Sequence, residues 1–285
     1  MPAVWQSLGL PGLIDVHVHF MPDNVLQKVW RYFDGAGPLT GSAWPIRYRD
    51  DEPTRLQHLR DLGVRAFPSL LYPHKPGMAA WLNDWADGFA DEHDDVLRTA
   101  TFFPEESAPA YVDDAIARGV KLFKAHVQVG GYDPRDPLLA PVWRRLEASG
   151  TPVVVHCGHG PAPGRYTGPD VFAEVLEQHP ALYAVIAHLG LPDYAEFLEL
   201  ARRYPHVHLD TTMAFTPWSE RTVPFPAELT GSLVALGDRI LLGSDFPNIP
   251  YEYAEQVAGL VRLDLGDDWL RGVLHDNAAG LLGLS

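Results

Sequence analysis

Two histidines one residue apart, His17 and His19 in the stretch IDVHVHF, put two imidazoles on one side of an extended chain, because strand side chains alternate between faces. Asp15 shares their parity one step earlier, as a supporting residue, while Val16 and Val18 are expected to pack outward. Chemically active residues recur at the ends of later apolar runs. These are Lys124 and His126 in VKLFKAHV, His156 in PVVVHC, His188 in LYAVIAH and Asp245 in RILLGSD. Imidazole and carboxylate together suit a divalent ion, and a catalytic site leaves one coordination position open for water. His17, His19, His156 and Asp245 would supply the ligands, and His188 is the candidate base that orients water and moves protons. One histidine at a strand end is commonly a hydrogen-bonded structural residue. Their joint occurrence is what points to a site.

These residues need elements that bring them to one place. Eight short apolar runs read as strands, at 12–20, 64–72, 96–103, 120–127, 152–157, 182–188, 207–213 and 239–245. Segments with helical spacing lie between and after them, at 53–63, 78–93, 111–119, 139–150, 170–180, 192–205, 251–262 and 269–283. Several close on glycine or on a following proline, the expected stop signals. The alternation predicts an α/β chain folded as a (β/α)8 TIM barrel. An open doubly wound sheet is the other candidate, but no glycine-rich dinucleotide loop follows the first strand. In a barrel, catalytic groups project from the carboxyl ends of the strands, and five of these eight runs end in such a group.

The chain has 285 residues, 46% of them hydrophobic, with no linker, low-complexity tract or strong repeat, which predicts a single domain over 1–285. A formal net charge of -15 argues against a nucleic-acid binder. Cys157 is the one cysteine, so no intramolecular disulfide forms, and it is expected to be buried packing. The start, MPAVWQSLGLPGL, lacks a signal-peptide pattern, and no run suits a bilayer span, so a cytoplasmic protein is expected.

The motifs IDVHVHF, VVVHCGH, VIAHLG, GSDFP and DNAAGLLGL, in this order, resemble those of the amidohydrolase superfamily. The similarity is to its amidohydrolase-related branch, which includes aminocarboxymuconate-semialdehyde decarboxylase. The resemblance implies a metal-dependent hydrolase type of barrel with the ion at its carboxyl-terminal mouth. It implies His17, His19 and His156 as ligands, Asp245 as ligand or proton shuttle, and His188 as the residue that activates water. One divalent ion is expected, Zn²⁺ or in second place Mn²⁺. Lys124 is the candidate for holding a second ion or touching substrate. Relatives of this kind are often homodimers.

The longest connection, residues 21–52, carries Trp30, Phe33, Trp44, Arg47 and Tyr48 and is expected to roof the pocket. His126, His159 and Arg165 are the candidate substrate contacts, Arg165 as a carboxylate clamp. Tyr72, His74, Phe102, Phe103, Phe215 and Trp218 suggest an aromatic mouth, whereas Trp81 and Trp85 suggest packing. The expected partner is a small carboxylic acid derivative, with no membrane or nucleic acid. The expected reaction is attack of metal-activated water on an ester, lactone or amide. Non-oxidative decarboxylation of an unsaturated or aromatic acid is the alternative, and a non-catalytic metal-binding scaffold is a third.

Overall fold

The computed structural model describes residues 3–35, 37 and 43–284. Its strands are β1 (Leu13–Ile14), β2 (Val64–Pro68), β3 (Val96–Leu97, continued by Thr99–Thr101), β4 (Leu122–His126), β5 (Val153–His156), β6 (Ala184–Ile186), β7 (Val207–Asp210) and β8 (Ile240–Leu241). Each pairs in parallel with the next, and β3 changes partner at Arg98, from β2 before it to β4 after it. The ring closes where Val18 bridges Phe246. There the Val16 amide donates to the Leu242 carbonyl at 2.9 Å and the His19 amide to the Phe246 carbonyl at 2.7 Å. The architecture is the (β/α)8 barrel. Its regular ladders are shorter than the apolar runs, because several runs leave the ladder before their polar ends.

Parallel barrel strands are covered on both sides, hence their continuous apolar character. Leu122 precedes Lys124 by two residues and Val154 precedes His156 by two, so each pair shares a face. Leu122 and Val154 join Ile14, Val185 and Leu241 in one buried cluster, with Ala278 and Leu282 of the last helix packed beneath. Residues of opposite parity, such as Phe123 and Val155, belong to the larger cluster shared with the surrounding helices. Val16 corrects the expectation of strict alternation. The chain bends there, β1 shifts register after Leu13, and Val16 joins the inner cluster while Val18 alone packs outward.

Two helical features also depart from the sequence reading. The connection after β1 holds a helix, Asp23–Asp34, and its residues 36 and 38–42 lie outside the described residues. The expected terminal helix is broken into Asp267–Arg271, a π-helical turn Gly272–Asp276, and Asn277–Leu282. Asn277 accounts for part of the DNAAG pattern: its amide nitrogen donates to the carbonyls of Gly237 at 2.7 Å and Ile240 at 2.8 Å. Those bonds tie the last helix to the start of β8. No helix among the described residues is long and apolar enough to cross a membrane.

Candidate active site

The strand ends converge as the barrel requires. His17 Nδ1 donates to Asp210 Oδ2 at 2.9 Å, and His19 Nδ1 donates to the Leu70 carbonyl at 2.8 Å. Those partners accept only, so in each neutral ring Nε2 carries the lone pair. His19 Nε2 lies 2.8 Å from Asp245 Oδ1, and His17 Nε2 lies 3.5 Å from the same oxygen. Lone pairs facing at these distances repel unless a cation, a proton or a metal ion, lies between them. On the next side, His156 Nε2 donates to the Gly160 carbonyl at 2.8 Å, leaving Nδ1 as its acceptor atom. Ligand atoms of His17, His188 and Asp245 all lie within 4.8 Å of one another. The rings of His156 and His188 meet edge to face with centroids 4.7 Å apart. The donor set is imidazole nitrogen plus carboxylate, with His17, His19 and His156 each oriented by its own hydrogen bond, and it fits a divalent ion.

Backbone geometry shows how firmly these groups are placed. His188 and Asp245 both sit at positive φ, 59° and 70°, a conformation that side-chain-bearing residues disfavour. Each is held by a hydrogen bond: the His188 amide donates to Asp210 Oδ1 at 2.9 Å, the Asp245 amide to the His17 carbonyl at 2.8 Å. Gly243 in the GSD motif is required for the same packing. A Cβ there would lie 2.2 Å from Thr212 Oγ1 and 3.0 Å from the His17 Cβ.

Electrostatics keep His17, His126, His156 and His188 neutral. Burial drives His188 down to about 4. His17, His126 and His156 fall well below the usual histidine range, again chiefly by burial, with Lys124 and neighbouring imidazoles adding to it. For Asp245, burial acts upward. The contact with His19 and nearby His17 and His188 outweigh it and hold the carboxyl well below the usual range. Lys124 is fully buried with Nζ 3.1 Å from His17 Nε2, and burial lowers it to about 8. Burial raises Asp15 to about 7. Its carboxyl accepts from the His17 amide at 3.0 Å and the Tyr253 hydroxyl at 2.9 Å, holding the bend in place.

A cavity of about 960 Å³ opens above these groups, with His19, His156, His188 and Asp245 in its wall. His126 lines it too, stacked on His156 with ring centroids 4.0 Å apart. His159 also reaches it, and its Nδ1 donates to Asp193 Oδ2 at 2.8 Å. Arg165 is not brought there. It is exposed and stacks over Tyr166 at 5.0 Å, outside the cavity wall, so the carboxylate clamp has no support. Lys124 likewise stays beneath the wall, reaching His17 and not the cavity.

The aromatic wall joins part of the expected mouth to part of the expected roof, and Tyr32 adds to it. Tyr72, His74, Phe33, Trp44 and Trp218 line the cavity, whereas Phe102, Phe103 and Phe215 are core residues. Arg47 and Tyr48 bond to Glu252, and Trp30 donates to Asn248 at 3.1 Å. Trp85 stacks on Phe89, as packing residues do, while Trp81 is exposed. Cys157 is buried in the outer core.

Sequence reasoning missed Asp210, which touches both His17 and the His188 backbone. The signal was present, since VHLD ends β7 with a carboxylate as RILLGSD does for Asp245.

An eight-stranded parallel barrel with histidines and a carboxylate at its carboxyl-terminal mouth defines a class, the barrel metalloenzymes. The comparison with family models is specific: residues 14–284 match the amidohydrolase model, and the chain belongs to that family. It is therefore a metal-dependent enzyme of the amidohydrolase type, and the scaffold alternative is set aside. No curated protein matches the sequence. Among solved structures it is similar to an uncharacterized TIM-barrel protein from Bordetella bronchiseptica, at 19% identity and TM-score 0.74, covering 95% of this chain and 98% of that one. It is similar to a 5-carboxyvanillate decarboxylase from Novosphingobium aromaticivorans with bound manganese, at 15% identity and TM-score 0.63, covering 95% and 97%. A probable 2-pyrone-4,6-dicarboxylic acid hydrolase from Acinetobacter baumannii with citric acid bound is similar at 15% identity and TM-score 0.61, covering 96% and 100%.

Proposed function

We propose that the chain is a metal-dependent hydrolase acting on an ester, lactone or amide of a small, largely apolar carboxylic acid. The observation that carries this reading is His188, whose neutral ring lines the cavity beside Asp245. Among the described residues its ring nitrogens have no hydrogen-bond partner, whereas those of His17, His19 and His156 are engaged. A neutral imidazole with a free lone pair is the form that takes a proton from an attacking water. His17, His19, His156 and Asp245 are the ligands in this reading. Zn²⁺ is the favoured ion on ligand type, and the manganese in the decarboxylase relative supports Mn²⁺ as second choice. When bound, the ion supplies Lewis acidity to the substrate carbonyl and to the attacking water. Asp210 holds His17 in the ligating tautomer, and Asp245 takes up positive charge that develops on His188. Aromatic walls at Phe33, Trp44, Tyr72 and Trp218 suit a planar or cyclic acyl group.

One feature favours carboxy-lyase chemistry as a second reading. A carboxylate drawn into so apolar a cavity is destabilised relative to neutral CO₂. The two readings separate in one experiment. Metal-loaded protein is offered a panel of esters, lactones and amides alongside unsaturated and aromatic acids, with acid release and CO₂ release followed together. Acid release supports hydrolysis; CO₂ release without any hydrolytic turnover rejects it. Ion content of protein purified without added metal tests the ligand set, and less than a few tenths of an equivalent, with no activation by Zn²⁺ or Mn²⁺, rejects it. The same reading takes the chain as one catalytic domain, cytoplasmic and homodimeric, which fractionation and light scattering check.

A further inference from the structure

We propose that His159 and Asp193 form a second proton-transfer pair, distinct from His188 and Asp245, which protonates the leaving group. This rests on the hydrolytic reading above. His159 follows His156 on the loop after β5, and Asp193 follows His188 on the loop after β6. The two loops that furnish the metal end of the cavity thus also furnish a histidine–carboxylate pair in its wall.

The pair is built and not incidental. Asp193 Oδ2 accepts from His159 Nδ1 at 2.8 Å and from the His159 backbone amide at 3.3 Å. Among the described residues the Asp193 side chain has no other hydrogen-bond or ion-pair partner. The His159 ring edge rests against Gly168, where a Cβ would lie 2.9 Å from both Cε1 and Nε2. Gly168 has φ +122°, which glycine tolerates, and its amide is anchored on the Cys157 carbonyl at 2.7 Å. Because the carboxylate accepts, Nδ1 keeps its proton in either charge state of the ring. Nε2 is therefore the nitrogen that gains and loses one, and the ring lines the cavity with 37% of its side chain exposed. This is the histidine–carboxylate logic of general acid–base catalysis.

Hydrolysis asks for two proton movements. Water oxygen bonds to the acyl carbon and its proton passes to His188. The bond from that carbon to the leaving oxygen or nitrogen breaks, the electron pair stays on the leaving atom, and that atom takes the proton from His159 Nε2. His159 is then reprotonated from solvent and His188 releases its proton to solvent, so the net reaction is ester plus water to acid plus alcohol. His17, His19 and His156 have one ring nitrogen committed to Asp210, Leu70 and Gly160, and their other nitrogen faces the ion in the proposed ligand set. His159 is the remaining histidine of the two loops.

The test is a series of esters of one acid whose leaving groups range from nitrophenol to simple alcohols, with kcat and KM for wild type, His159→Asn and Asp193→Asn. The expected result for His159→Asn is a roughly 10²–10³-fold loss in kcat for alkyl esters, diminishing steadily towards the nitrophenyl ester, with KM little changed. Asp193→Asn, as a positioning change, follows the same trend at about a tenth of the size. Thermal midpoints and bound-ion content matching wild type show that the variants fold. A loss uniform across leaving groups, or none, overturns the pair while leaving hydrolysis standing. Wild type that hydrolyses no ester but releases CO₂ overturns the hydrolytic reading, and the pair with it.

Discussion

The lower and upper halves of the barrel interior are made from the same strands and share little else. On β4, Leu122 lies in the apolar layer and Lys124, two residues on, meets His17; on β5, Val154 and His156 are divided in the same way. The lower layer is satisfied by any well-packed hydrophobic set. The upper layer buries charge, holds histidines neutral and keeps His188 and Asp245 at positive φ. Stability resides below, then, and chemistry above, so the two halves should respond to substitution in opposite ways.

The largest effect is expected above. Asp245→Asn removes a proposed ligand and the charge partner of His188, His19→Ala a proposed ligand alone, and in either variant turnover should fall by at least about 10³-fold with loss of bound ion. Retention of both ion and activity would break the division outright. Below, Leu122→Ala leaves a cavity in the buried cluster and should lower unfolding stability by about 2–5 kcal/mol in urea titration. Turnover per folded molecule should stay within about twofold, and a larger drop would mean that the lower layer is not passive. Asp210→Asn comes next, because it leaves the ligands intact but removes the acceptor that fixes the His17 tautomer. Ion affinity should weaken about 10–100-fold by competition with a chelator.

Protonation sharpens the contrast further. His17, His126, His156 and His188 have folded pKa values lowered from 6.5, to about 4 for His188. Below pH 6.5 the unfolded chain binds more protons than the folded one, so their contribution, complete above pH 6.5, is lost as pH falls towards the folded values. Stability should therefore drop steeply on acidification. His126→Gln deletes one such group that is not itself a proposed ligand, and should flatten the slope by up to about 1.4 kcal/mol per pH unit. An unchanged slope would mean that His126 titrates normally.

How far the sequence could be read follows the same division. Eight apolar runs and the residues ending five of them were legible, because strand burial and ligand chemistry both leave marks on single residues. His19, His156, His188 and Asp245 accordingly line one cavity, with His17 packed against His19 and His188 behind the wall. The bend at Val16 was not legible, since it follows from how β1 closes against β8 and not from the alternation of IDVHVHF. Asp193 was hidden because its meaning depends on His159, 34 residues earlier, and nothing in either loop alone announces the pairing.

The cavity wall gives the smallest effect, and it distinguishes loop position from real proximity. Arg165, a candidate anion contact by its place on the loop after β5, packs on Tyr166 outside the cavity. Lys28 carries no mark in the sequence, since the connection after β1 shows no helix there until the structure places Asp23–Asp34 in one. That helix carries it into the wall, where it is the sole lysine or arginine among the described lining residues. An exposed ammonium is worth about 0.2–1 kcal/mol to a bound carboxylate. Lys28→Met should accordingly raise KM for an anionic substrate about two- to fivefold, with kcat unchanged and KM for its neutral analogue unmoved. Arg165→Ala should leave both constants at the wild-type value. The reverse pattern would place the anionic end of the substrate under the loop after β5, and with it the orientation of the acyl group.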